Sequence, residues 1–324
     1  MIVHAVGLRR EFVVGRRRWL RRSSGVARRV AAVDGIDLRI EAGETIGFLG
    51  PNGAGKSTTI KMLTGILVPT AGTLTVCGLD PVTRRRDLAR RIGVVFGQRS
   101  ALWWDLPLAD SFALLGAIHR VPAAVHRERL ERCVEVLGLA GILATPVRQL
   151  SLGQRMRGEV TAALLHAPPL LVLDEPTVGL DLVSKERLRV FLREVNVRDG
   201  VTVLLTTHDL PDVERLCRRV VVIDRGRVVA DDGLGTLRGR FGGPRELVVD
   251  LAAPAPQLDG LPGVTSTVVE ADGLRRRFAF GPATNAADLV AEVTRRAEVR
   301  DLTVLEPSIE EVVRSLYSTA RHRG

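Results

Sequence analysis

The sequence predicts an α/β domain on a largely parallel sheet, with a helical subdomain set into it and a small α+β module behind it. Three observations predict this. Short apolar runs of strand length alternate with helical stretches around residues 45–64 and 170–230. Between Leu108 and Leu165 the strands drop out and helical periodicity takes over. After Asp231 the chain turns glycine-rich, and a second, shorter set of strands and helices begins.

Taken in order, residues 45–49 are an apolar run reaching Gly50, and residues 57–64 read as the helix that follows. Ala113, Leu114, Ala117 and Ile118 mark one apolar helix face in the inserted stretch, and Leu130, Val134 and Leu137 mark another. Residues 170–173 and 201–206 read as buried strands. Residues 220–224 and 227–230 form a strand pair turning at Gly226. Gly233, Gly235, Gly239, Gly242, Gly243 and Pro244 read as a joint. Domain boundaries of 1–235 and 236–324 follow, with the helical subdomain at about residues 99–165. In the second domain, strands are expected near 246–251, 264–270, 277–280 and 299–305, and helices near 285–296 and 308–316. That pattern has a ferredoxin-like flavour.

The 324 residues carry a net charge of +10, which suits an anionic partner: a membrane surface, a nucleic acid or nucleotide phosphates. Charge by itself does not choose among them. Nearly all the excess is arginine; Lys56, Lys61 and Lys185 are the only lysines. The basic stretch 16–29, broken by Trp19 and Leu20, lacks regularly interleaved aromatics and any base-reading scaffold. It reads as a solvated loop that approaches anionic lipid or a partner's cytoplasmic face, and no nucleic acid is expected. Cys77, Cys133 and Cys217 have no metal-ligand spacing and read as buried free thiols. There is no signal-peptide pattern and no apolar run near the roughly 18–20 residues of a membrane span, so a cytosolic chain is expected.

Chemistry enters at residues 50–58. Gly50, Pro51, Asn52, Gly53, Ala54, Gly55, Lys56, Ser57 and Thr58 fit the full spacing of a phosphate-binding loop, after a strand and at the opening of a helix. Glycines let backbone N–H groups turn toward phosphates, and the helix N-terminus adds its dipole. Lys56 reaches the β- and γ-phosphates of ATP, and Ser57 offers a hydroxyl to Mg²⁺. The run 170–173 leads into Asp174 and Glu175. Carboxylates at the carboxyl end of a buried parallel strand lie where such sheets bind ligands, and they need a cation or partner. Asp174 is then the Mg²⁺ partner, and Glu175 orients and activates the attacking water.

With these motifs and those that follow, residues 1–235 resemble the ATPases of ABC transporters, an α/β phosphate-loop NTPase fold. Gln98 follows the apolar residues 94–96, where the family has a glutamine that contacts Mg²⁺ and water and senses the membrane partner. Residues 150–154 (LSLGQ) resemble the family's signature loop, residues 179–181 (GLD) its aspartate loop, and His208 its switch histidine. The resemblance implies that ATP is sandwiched between two copies. Ser151, Gly153 and Gln154 would then grip the γ-phosphate held on the opposite chain, with Asp181 at the dimer interface. Leu152 departs from the family, which usually has glycine there; an ordinary loop conformation or slower turnover are the two consequences to expect. The family stacks adenine on an aromatic residue near the end of the first strand, here Phe12, with Trp19 as competitor.

Residues 65–78 and 175–181, with a small C-terminal module, look most like exporter ATPases whose permeases are separate chains. Residues 97–106 (GQRSALWWDL) resemble a multidrug- or viologen-exporter-like branch. Drug or lipid-like efflux, a homodimer or heterodimer of ATPase subunits, and a place at the inner face of the cell membrane are the expectations that follow. At least one of Trp103 and Trp104 is expected to line the groove that receives a permease helix. An importer ATPase, or a soluble ABC protein acting on ribosomes or DNA, are the alternatives.

Overall fold

The computed structural model describes residues 1–14, 28–97, 100–207, 209–281 and 283–322. Tertiary contacts divide the chain into two compact units, Met1–Asp232 and Gly233–Gly324.

The first unit is mixed α/β, and its sheets do different work. β1 (Val3–Val14), β2 (Arg28–Ile40) and β4 (Ala71–Val76) form a three-stranded antiparallel sheet in the order β2-β1-β4. β3 (Thr45–Leu49), β5 (Ile92–Phe96), β6 (Leu170–Asp174), β7 (Thr202–Thr206), β8 (Arg219–Asp224) and β9 (Arg227–Gly233) form the main sheet in the order β5-β6-β7-β3-β8-β9. The pairs from β5 through β8 are all parallel. β9 follows β8 through Arg225 and Gly226, both at positive φ, as the tight hairpin turn requires. β6 and β7 are almost wholly buried, which is why they read as unbroken apolar runs. One core, with Leu8, Ile36, Phe48, Ile60, Met62 and Val76 at no more than 1% exposure, joins the antiparallel sheet to the main sheet.

Seven helices complete the described part of this unit. α1 (Lys56–Leu63) follows β3, and α2 (Arg85–Ala89) precedes β5. α3 (Leu108–Ile118), α4 (Ala123–Leu137) and α5 (Leu152–Leu164) lie between β5 and β6 with no strand among them. α6 (Leu182–Asp199) and α7 (Leu210–Leu216) flank β7 in sequence. The topology places the carboxyl ends of β5, β6 and β7 side by side: Phe96 pairs with Asp174, and Asp174 with Thr206. This edge is where open parallel sheets carry ligands.

In the second unit α8 (Leu234–Phe241) comes first, then β10 (Arg245–Leu251), β11 (Val264–Glu270), β12 (Arg275–Phe280), α9 (Ala286–Arg296), β13 (Val299–Leu305) and α10 (Ile309–His322). Its antiparallel sheet runs β11-β12-β10-β13, the ferredoxin-like order, with a single 3₁₀ turn at Pro256–Leu258 where a first helix would stand. Leu247, Val249, Phe278 and Phe280 pack under Leu289 and Val293 of α9. One reading is corrected here. The glycines at 233–243 do not make an open joint, because α8 runs through them. Leu237 is buried and α8 packs on α10, so tertiary burial outweighs the helix cost of two glycines, Gly235 and Gly239.

Candidate functional site

A cavity of about 630 Å³ opens where β3 gives way to α1. Pro51, Asn52, Gly53, Gly55, Lys56, Ser57 and Thr58 form one wall, and Phe96, Gly97, Asp174 and Glu175 face them from the ends of β5 and β6. Gly55 caps α1 at φ +105°, and a Cβ there would stand 2.5 Å from the Ala32 carbonyl oxygen, so only glycine fits. No side chain caps this helix. The loop is braced by Ala54 N–H donating to the Pro51 carbonyl (3.1 Å) and by Gly226 N–H donating to the Ala54 carbonyl (2.8 Å).

Lys56 lies half-buried in the cavity. Its Nζ donates to the Gly50 carbonyl at 2.5 Å and the Pro51 carbonyl at 3.1 Å. Burial pulls its pKa down, and the carboxylates of Glu175 and Asp174 work against that. Asp174 accepts a hydrogen bond from the Thr206 hydroxyl, and Glu175 N–H donates to the Thr206 carbonyl (2.9 Å). Glu175 sits at φ +55°, a conformation that costs a non-glycine residue energy and persists only when its surroundings hold it. β6 thus turns sharply as it delivers the second carboxylate.

Ser151 and Asp181 occupy a different surface. Ser151 is the N-cap of α5: its hydroxyl accepts from Gln154 N–H (3.2 Å), while the Gln154 side-chain oxygen accepts from Ser151 N–H (2.9 Å). Leu152 begins α5 in an ordinary helical conformation, with no positive φ. Asp181 caps α6, accepting from the backbone N–H (2.8 Å) and hydroxyl (2.7 Å) of Ser184, and these bonds lower its pKa. Leu152, Val178, Leu182 and Val183 are exposed around these two helix starts.

The structure therefore brings residues 51–58, Asp174 and Glu175 together, with Ala54 buried beneath the loop and Gly50 at its base. Phe12 is not among the residues lining the cavity; it is partly exposed on β1 with the Arg10 guanidinium 4.8 Å from its ring centre. Gln98, His208, Trp19 and residues 16–27 of the basic stretch lie outside the described residues. Trp103 and Trp104 are both exposed, at 38% and 53%, and Arg155 stands 5.6 Å from the ring centre of Trp104. Trp104, Arg155, Met156, Ser100 and Glu159 line a groove of about 320 Å³. Cys133 and Cys217 are buried and Cys77 partly so, and burial raises their thiols to about 11, 12 and 11 respectively.

Three supports were not foreseen from the sequence. Glu159, 4% exposed, accepts from Ala101 N–H (3.0 Å) and the Ser100 hydroxyl, tying the segment after β5 to α5; burial pushes its pKa up. Arg189 of α6 donates to the fully buried Asp212 of α7, and Lys185 reaches Asp209 at 2.5 Å, so two ion pairs hold the start of α7. His166 donates to the Ile92 carbonyl of β5 (3.1 Å) and stacks on His119 with ring centres 4.0 Å apart. The one available signal was charge within otherwise apolar helix faces, which demands a buried partner.

A family model described as ABC transporter matches residues 33–178. The chain is 35% identical over 287 residues to the daunorubicin resistance ATP-binding protein DrrA3 of Streptomyces coeruleorubidus, covering 87% of this chain and 89% of that protein. It is 41% identical over 204 residues to the Nod factor export ATP-binding protein I of Cupriavidus metallidurans, covering 61% of this chain and 65% of that one. Among solved structures, an ATP-binding subunit of an ABC transporter aligns with TM-score 0.65 and 25% identity over 74% of this chain and 93% of its own. A dimeric ATP-binding cassette in a post-hydrolysis state with ADP and Pi aligns with TM-score 0.63 and 26% identity over 72% of this chain and 99% of its own.

Proposed function

The chain belongs to the ATP-binding subunits of ABC transporters, exporter type, and from that premise we propose that two ATPase subunits clamp ATP head to tail to drive drug or lipid-like efflux through a separate permease. It is an ATPase. The observation that supports the ATP site is the convergence of Pro51, Gly53, Gly55, Lys56, Ser57, Asp174 and Glu175 on one cavity.

The loop amides and Lys56 hold the β- and γ-phosphates. Lys56 exchanges its bonds to the Gly50 and Pro51 carbonyls for phosphate oxygens, and the flanking carboxylates oppose the loss of charge that burial favours. Glu175 orients and activates the attacking water; its strained backbone pins the carboxylate at the strand end. Asp174 and Ser57 line the same cavity and present hard oxygens, the donor chemistry Mg²⁺ prefers when it shares phosphate oxygens and water. When bound, Mg²⁺ would neutralise charge on the phosphates. Gln98 and His208, which follow β5 and β7, are assigned the water and γ-phosphate contacts. Phe12 is assigned to adenine.

Ser151, Gly153 and Gln154 are assigned to the γ-phosphate on the opposite subunit, with Asp181 beside them at the interface. The exposed apolar residues Leu152, Val178, Leu182 and Val183 favour a covered surface there. The groove carrying Trp104 and Arg155 is the proposed seat of the permease helix, which would hold the chain at the inner face of the membrane. Among the described residues no helix is long and apolar enough to cross a membrane. The unit Gly233–Gly324 is assigned an accessory role. The relatives named as exporters favour this reading over an importer or a ribosome- or DNA-acting ATPase.

Glu175→Gln tests it. Hydrolysis should fall by about two to four orders of magnitude. ATP should still bind and should trap a dimer on size-exclusion chromatography. Normal turnover in this variant would overturn the assignment of Glu175.

A further inference from the structure

Part of the chain's arginine excess gathers on one short surface that the ATP site does not use. Arg84, Arg85, Arg86, Arg90 and Arg91 fall within α2 and its flanks, and all of them are exposed. Leu88, at 0% exposure, anchors the segment to the core. The Arg85 stem lies beside Gly65, its Cγ 3.5 Å from where a Cβ on that glycine would stand, and Arg91 donates to the Cys77 carbonyl (3.2 Å). The guanidinium groups therefore ride on a packed turn.

Nearby acids offer little compensation. Asp80 already accepts from the backbone N–H groups of Val82 (2.7 Å) and Thr83 (3.3 Å). Asp87 is taken by Arg84 (2.6 Å), and that bond and charge, followed by Arg90 and Arg91, hold its carboxyl below the ordinary range. Among the described residues Arg85, Arg86 and Arg90 form no ion pair. The charge of Arg90 reaches the end of α3: burial, and then Arg90, lower the pKa of His119, and Arg120 beside it is exposed. Val82 stands 40% exposed next to these charges.

None of these arginines lines the ATP cavity or the groove of Trp104, and residues 80–91 contain no aromatic ring on which a base could stack. Close-set, uncompensated arginines with neither pocket nor ring match a surface carrying many phosphates. α2 leads into β5, the edge strand of the main sheet, and the groove begins past the other end of β5, at Phe96 and Gly97. The five residues of β5 span about 15 Å, so the basic surface and the proposed permease seat flank one strand.

We propose that Arg85, Arg86 and Arg90, with Val82 beside them, dock on the phosphate headgroups of anionic phospholipid in the membrane that holds the permease. The inference rests on the permease reading and adds a direct contact between this chain and lipid. Each arginine held near an anionic leaflet strengthens binding about fivefold, so the three together are worth about 100-fold.

Co-sedimentation of the full chain with vesicles, without permease or ATP, tests this. Vesicles of phosphatidylcholine mixed with phosphatidylglycerol should bind the chain, and phosphatidylcholine alone should not. The triple variant Arg85→Ala, Arg86→Ala, Arg90→Ala should bind about 100-fold more weakly, while lysine at the same three positions should preserve binding. ATP hydrolysis without vesicles should be unchanged in both. A control that removes equal charge from α6 and from the residue before β8, Arg193→Ala, Arg198→Ala, Arg218→Ala, should bind nearly as the unaltered chain does. An equal loss in that control would reduce the effect to net charge and overturn the proposal. So would equal binding to neutral vesicles, or full binding by the triple alanine variant. Displacement of the vesicles by an oligonucleotide at lower phosphate concentration would overturn it in favour of nucleic acid. If the triple alanine variant does not fold, Arg86→Ala decides alone, with an expected loss of about fivefold. Failure of the transporter reading looks different: Glu175→Gln would then trap no dimer with ATP, whatever the vesicles show.

Discussion

The two helix starts assigned to phosphate, those of α1 and α5, are built on opposite plans. α1 begins at a glycine with no side-chain cap, inside a concave cavity shared with two carboxylates. α5 begins at an exposed serine whose capping box already uses the amides of Ser151 and Gln154. An uncapped helix start keeps its donors for a ligand, and the surrounding loop must fix its shape. A capped start is rigid without a ligand but must give up internal bonds to take one. The first plan suits a site that binds nucleotide within a single chain. The second suits a surface that acts only when another chain brings the phosphate to it.

The comparison breaks if a single chain does not bind ATP through α1. Lys56→Ala should weaken ATP binding by about 100-fold, since it removes charge-assisted bonds to two phosphates. Isothermal calorimetry showing unchanged affinity would count against the assignment of this cavity.

A smaller effect sharpens the contrast. Ser151→Ala should lower stability by about 1 kcal/mol, the usual loss for removing an N-cap hydroxyl. Chemical denaturation without nucleotide measures it. ATP affinity of the isolated subunit should hold while ATP-driven dimerisation weakens. Equal loss of both would mean that the two helix starts serve the same nucleotide.

A third effect, confined to acid pH, concerns the far end of α5. Burial, then the neighbouring His119, pushes His166 down to about 4 from the ordinary 6.5. Its folded pKa lies below the unfolded one, so its neutral form contributes stability that is present at pH 7. That contribution is lost as pH falls from about 6.5 toward 4, by up to about 1.4 kcal/mol per pH unit. Thermal melts across this window should show a shallower slope in His166→Gln. An identical slope would remove His166 from the acid response of the α5–β5 contact.

The legibility of the site differed along the same line. Residues 50–58 and the Asp174–Glu175 pair could be read from sequence because loop geometry demands glycines at set spacings and a buried strand demands apolar residues up to the carboxylates. The ion pairs of Arg189 with Asp212 and Lys185 with Asp209 could not, since each partner lies more than twenty residues away on another helix. α8 was missed because its eight residues, rich in glycine and arginine, carry no helical signal until Leu237 is buried and the helix packs on α10.

By itself the sequence determined the order of strands and helices around the ATP cavity, because local spacing and hydrophobic periodicity are properties of neighbouring residues. Only the tertiary structure decided that Leu152 keeps an ordinary helical backbone and rests on Gly179, because that outcome depends on which atoms from a segment 27 residues away fill the space above the glycine. A sequence records that leucine replaces glycine at position 152; packing decides what the leucine touches.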